Sequence, residues 1–141
     1  MDFYVFPCIL MSKEEIHRVS IVWFGAEERV GTASFYPNNI TLNTVASFPL
    51  GEAYRVQVGL DENKRLLIVP ISKEKAESGI YDEYALLPFE VRKSFSRINS
   101  ASLMRQIAQA LGITFDAKNP LKRKTTWDPK ANILYVDMKE E

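Results

Sequence analysis

One cysteine, one histidine and no net charge are the scarcities that first narrow this sequence. Cys8 has no second thiol with which to form an internal disulfide, and with His17 as the sole imidazole the soft ligands are too few for a closed zinc site. No metal and no cofactor are therefore expected. Eighteen basic residues balanced by eighteen acidic ones exclude functions that rely on a strong global field. Glycine is sparse, and its six residues nowhere form a phosphate-cradling loop. The apolar opening, "MDFYVFPCILM" at 1–11, carries Asp2 where a signal peptide wants a cation, is broken by Pro7 and runs into "SKEE". It is far too short to cross a bilayer. The chain is expected in a reducing cytoplasm, with this stretch a strand or an arm packed on the core.

What is present is β-rich. At 141 residues and 46% hydrophobic side chains, the sequence fits one compact domain or two small units sharing a core. "HRVSIVWF" (17–24) and "TASFY" (32–36) read as strands suited to pair as a hairpin, with "PNN" (37–39) as a stop. "ITLN" (40–43) ends at a helix cap, Asn43-Thr44, but Pro49 and Gly51 leave room for only a brief helix. "AYRVQVGLDENKRLLIVPI" (53–71) is the strongest hairpin signal, with Asp61 at its turn. "SKEKAESG" (72–79) is a short helix between a Ser cap and a Gly stop. "IYDEYALLPFEV" (80–91) stays open between a helix ending before Pro88 and an irregular cover.

The clearest helix is "SASLMRQIAQALGI" (100–113), capped by Ser100 or Ser102, with Leu103, Ile107, Ala110 and Leu111 as its apolar stripe and Gly112 as its end. "TFDAKNPLKRK" (114–124) reads as a loop. "KTTW" (124–127) and "NILYVDM" (132–138) close a last hairpin around Asp128-Pro129.

Two stretches echo each other. "LDENKRLLIVP" (60–70) overlays "WDPKANILYVD" (127–137) with the turn Asp shared, Leu67 on Leu134 and Val69 on Val136. Upstream, "ITLNTVA" (40–46) overlays "SRINSAS" (96–102), with Asn43 on Asn99 and Thr44 on Ser100. Each hairpin thus follows a short strand and a capped helix, which reads as an internal repeat.

On these residues the unit, with "RVQVGLDENKRLLIVP" (55–70) as its hairpin, is similar to the swapped-hairpin barrel unit of the AbrB/SpoVT/MraZ group of bacterial proteins. The resemblance covers 40–70 well and 96–138 less well, and two units in one chain most resemble the MraZ arrangement. It implies a mainly β to α+β fold in which two units form a pseudo-two-fold β-barrel with short helices. The expected division is 1–36 as N-terminal strands on the barrel, 37–79 as the first repeat, 80–95 as a connector and 96–141 as the second repeat. The resemblance also implies a DNA-binding transcription regulator, acting as a homo-oligomer. One departure bears on that: DNA-binding members carry arginines around the first strand and its turn, where "PNNITLNTVA" has no basic residue and Asn43 and Asn99 replace the usual Pro.

The charge pattern points to the second half. Through Phe89 there are 8 basic and 12 acidic residues; beyond it there are 10 and 6. Arg92, Lys93, Arg97 and Arg105 lie near a helix start, suited either to phosphates or to a solvated strand edge. Lys118, Lys122, Arg123 and Lys124 belong to a basic loop beside Trp127, suited to a nucleic-acid backbone or simply to water. Asn99 has the chemistry to read an adenine edge, and equally to cap the next helix. Double-stranded DNA is the expected partner, through Arg92, Lys93, Arg97, Asn99, Arg105, Lys122, Arg123 and Lys124. The rival is a scaffold that has lost its DNA face.

Enzymatic chemistry has no support. His17 and Cys8 lie in no nucleophile motif, and the pairs Glu14-Glu15, Glu27-Glu28 and Asp82-Glu83 are sequence neighbours whose side chains point apart. No membrane partner is expected.

Overall fold

The computed structural model describes residues 30–139. Eight strands run through it: β1 (Thr32–Phe35), β2 (Asn39–Asn43), β3 (Arg55–Leu60), β4 (Arg65–Ile71), β5 (Leu87–Val91), β6 (Phe95–Asn99), β7 (Leu121–Asp128) and β8 (Ile133–Asp137). Three helices intervene: α1 (Thr44–Ser47), α2 (Lys73–Ala76) and α3 (Ala101–Leu111). The strands close into an antiparallel barrel in the order β1-β2-β6-β5-β3-β4-β8-β7, with β7 returning to β1. The protein is mainly β, as the alternation of its strands implies.

Closure follows from that alternation. Ala33 and Phe35, Ile40 and Leu42, Leu66 and Ile68, and Leu134 and Val136 are buried, while the residues between them face outward. Phe35 stacks on Phe115 with ring centroids 5.7 Å apart. Each of the larger side chains among these, once fully buried, contributes about 1.5–3 kcal/mol. Helix α3 forms where its cap and stop predict it, because Ser100 Oγ accepts from Leu103 N at 3.0 Å and Gly112 turns left-handed at φ 66°. Its buried face is Leu103, Met104 and Ile107, while Ala110 is exposed. The expected stripe is thus rotated, since Met104 carries more apolar surface than Ala110.

Two halves of the barrel are interchangeable. Exchanging β1 with β5, β2 with β6, β3 with β7 and β4 with β8 carries β1–β2 onto β5–β6, β3–β5 onto β7–β1 and β3–β4 onto β7–β8. The pairs β2–β6 and β4–β8 map onto themselves. Detail repeats too: the turn bond from Tyr36 N to Asn39 O, 2.9 Å, recurs from Arg92 N to Phe95 O, 2.8 Å. Each first hairpin is held by the other half's helix start, through Thr44 Oγ1 to Ser94 O (2.7 Å) and Ser100 N to Asn38 O (3.1 Å). Neither half forms its share of the barrel without the other, because β3 pairs with β5 and β7 with β1.

The structure corrects several expectations. Strand β1 pairs with β2 and β7, so both its edges are taken; the run 17–24 and the 1–11 stretch lie outside the described residues. The 80–95 stretch read as a connector contains β5; Pro88 lies near its start, opposite Arg55 of β3 and outside the register with β6, which begins at Phe89. Residues 121–124, expected in a loop, are the first half of β7, since the edge of β1 needs a partner and Leu121 opposite Phe35 supplies an apolar one.

The hairpin overlay is out of step by one in its return arm. In the first turn 62–64 lie outside the pairing; in the second 129–132 do, one residue more. The left-handed residues Lys64 and Asn132, both at φ 60°, are therefore equivalent. So are Leu66 and Leu134, both buried, whereas Leu67 faces outward. A one-residue slip exchanges the two faces of a strand.

Candidate nucleic-acid interface

The β5–β6 hairpin gathers four of the eight candidate residues. Pairing sets Glu90 directly opposite Arg97 on the outer face, with Arg92 and Lys93 in the turn and Asn99 at the far end of β6. Inward from them, Phe89 and Ile98 pack on the core, so the polar set is fixed by the alternation that builds the barrel. The hydrogen bond from Thr44 to the Ser94 carbonyl ties the turn to α1.

Glu90 organises the group. Its Oε2 accepts from Arg92 Nε at 2.6 Å, and Arg92 Nη2 contacts the same oxygen. Its Oε1 accepts from Asn99 Nδ2 at 3.0 Å and lies 3.9 Å from Arg97 Nη1. The Arg92 hydrogen bond, then that of Asn99, holds the Glu90 carboxyl below the usual glutamate range. Arg97 also lies over the Phe95 ring, its Cζ 4.9 Å from the centroid. Its Nε is shielded from solvent and has no acceptor among the described residues.

The remaining candidates stand apart. Lys122 and Lys124 point outward from β7, opposite Ser34 and Thr32 of β1. Register links them to the arginine through the outward row Lys122–Ser34–Thr41–Arg97–Glu90. Lys122 and Arg97 are three strands apart, roughly 14 Å at the usual spacing between strands. In a closed eight-stranded barrel three steps also turn the outward direction by about 135°, so one flat partner does not meet both. Arg123 is half-buried, donates from Nη1 to Lys122 O at 2.9 Å, and also has a shielded Nε without a partner among the described residues. Arg105 is exposed on α3, off the sheet.

Asn43 and Asn99, equivalent by position, do different work. Asn43 caps α1 by accepting from Ala46 N at 2.9 Å. Asn99 leaves the cap to Ser100 and spends its amide on Glu90. Glu90 and Thr44 are the residues that sequence reasoning missed. The signal was the spacing in "FEVRKSFSR" (89–97), which places an acid opposite a cation only once 87–91 is known to be a strand.

Among the described residues no group of three His, Cys, Asp or Glu side chains is placed to hold a metal ion, and no helix is long and apolar enough to cross a membrane. An apolar cleft of about 220 Å³ between α3 and the β3–β4 hairpin is lined by Val58, Leu60, Leu66, Leu103 and Ile107. It presents no reactive group.

Fold and site together define an antiparallel eight-stranded barrel of two interlocked hairpin–helix–hairpin halves, with a cationic arm on the second. Comparison with family models, curated proteins and solved structures finds no match for this chain.

Proposed function

We propose that this protein is a non-enzymatic, DNA-binding regulator of AbrB/MraZ-like type, acting in the cytoplasm as a homo-oligomer, and that it grips the DNA backbone with the β5–β6 arm. The observation that carries this is the clustering of Arg92, Lys93, Arg97 and Asn99 on one short hairpin. Phosphate contacts are made by such side chains and position a duplex without reading its sequence. The equivalent β1–β2 turn, Tyr36 to Asn39, has no cation, so the contact belongs to the second half alone.

Fluorescence anisotropy with a labelled duplex tests this. Three phosphate contacts predict a log K against log salt slope of about −2.7, a loss of roughly fortyfold between about 50 and 200 mM salt. Arg92→Ala with Arg97→Ala is expected to remove about two thirds of that slope. Absence of salt-dependent binding to any duplex refutes the proposal.

Two features favour the alternative, a protein-interaction scaffold: the candidate cations of β7 and α3 do not join the β5–β6 arm, and an apolar strip lies elsewhere on the barrel. Leu67, Val69, Ile133 and Tyr135 lie half-buried on the outer wall of β4 and β8, and Leu67 pairs with Tyr135 where the two halves meet. The same titration separates the two, since a scaffold leaves the anisotropy unchanged.

A further inference from the structure

Glu90 occupies the middle of the cationic arm, and its carboxylate already engages three of the four side chains offered to a phosphate. Both its oxygens are used: Oε2 by Arg92, Oε1 by Asn99 at 3.0 Å, with Arg97 Nη1 at 3.9 Å. A carboxylate and a backbone phosphate present the same thing to a guanidinium, a pair of anionic acceptor oxygens. What surrounds Glu90 is an oxyanion site holding an oxyanion of its own.

We propose that Glu90 is an intramolecular stand-in for a DNA phosphate, which shapes the site in the free protein and must swing out for nucleic acid to bind. This rests on the DNA-binding proposal and adds to it a built-in competitor that sets the affinity. Three features make the exchange feasible. The backbone of Glu90 is fixed by pairing with Arg97, so only its side chain has to move. One donor and the turn backbone are held without it: Arg97 lies over Phe95, and the turn is tied by Thr44 to Ser94. Arg97 Nη1 lies 3.9 Å from Glu90 Oε1, beyond hydrogen-bond distance, so an entering phosphate finds a guanidinium that Glu90 does not saturate.

The competitor is not a pH switch. Its carboxyl is held below the usual glutamate range, so it remains charged at neutral pH and competes by geometry. A ligand has to displace Glu90 from Arg92 and Asn99 together. This favours closely spaced phosphates over an isolated anion.

The experiment compares full-length wild type, Glu90→Gln and Glu90→Asp by duplex anisotropy across a salt series, each checked by thermal melting. Gln keeps the size and an acceptor for Asn99 but loses the charge. It is expected to steepen the salt slope by about 0.9 and to tighten binding about fivefold near 0.15 M salt. Asp keeps the charge on a shorter stem that withdraws from Arg92, and is expected to tighten binding by a smaller factor. If Glu90→Gln fails to fold, Glu90→Asp decides alone by binding tighter than wild type or not. Wild type that binds while the folded variants bind equally or more weakly overturns the competitor role, makes Glu90 a brace, and leaves DNA binding standing. No binding by wild type or any variant overturns both. Binding by the variants alone refutes DNA binding by the wild-type protein and, with it, the role of Glu90 as an exchangeable competitor.

Discussion

Asn43 and Asn99 are the same residue at matching places in the two halves, and the structure assigns them very different energetic weights. Asn43 makes three bonds: Oδ1 accepts from Ala46 N at 2.9 Å and Thr32 N at 3.1 Å, while Nδ2 donates to Val30 O at 2.9 Å. It caps α1 and also clips the start of β1 to the end of β2. Asn43→Ala removes a cap worth about 1 kcal/mol. It also removes two side-chain bonds of roughly 0.5–1.5 kcal/mol each; the Val30 bond is exposed and counts at the low end. A loss of about 2–3 kcal/mol follows, which for a domain of this size lowers Tm by roughly 8–10 °C.

Asn99→Ala loses one exposed bond to Glu90 and is expected to cost no more than about 0.5 kcal/mol. Asn43→Asp keeps the accepting oxygen and should recover more than half of the loss. Urea unfolding followed by tryptophan fluorescence measures all three. Equal costs for Asn43→Ala and Asn99→Ala would refute the assignment of the clip to Asn43.

Two further outcomes are expected. Leu66→Ala, in a side chain 1% exposed, should cost about 2–5 kcal/mol and Leu67→Ala less than half as much; the reverse order, read by urea titration, would restore the overlay that puts Leu67 on Leu134. Stability should also fall on acidification. Asp61 is held below its ordinary value of 3.8, first by the backbone N–H of Arg65, and Glu90 below 4.5, first by Arg92. Carboxyls depressed in the folded state stabilise fully above those ordinary values and lose their contribution as pH drops through the folded ones. Thermal melting of wild type should therefore hold level above those values and decline below them, less steeply in Asp61→Asn; an unchanged acid limb in that variant would remove Asp61 from the cause.

Much of the fold was legible in local pattern. The alternation in "ITLN" and "RVQV", the cap at Ser100 and the Gly112 stop all belong to single elements, where side-chain period and backbone chemistry act without distant partners. The turn Asp61 was equally readable, and its Oδ1 accepts from Asn63 N and Arg65 N at 3.0 and 2.8 Å. Strand β5 was not, because Pro88 and a run of mixed polarity hide a strand whose main partner is β6. The basic stretch 121–124 was misjudged for the same reason: lysines make a strand only when an edge such as β1 waits for them.

By itself, then, the sequence determined where chains of alternating residues begin and end, which helix is capped, and which half carries the surplus of cations. Only the tertiary structure decided which cations share a surface. Barrel closure sets Lys122 three strands from Arg97, and strand register brings Glu90 against Arg97 from the other arm of its hairpin. Direction around a closed sheet depends on pairings between strands far apart in sequence, which no local period encodes.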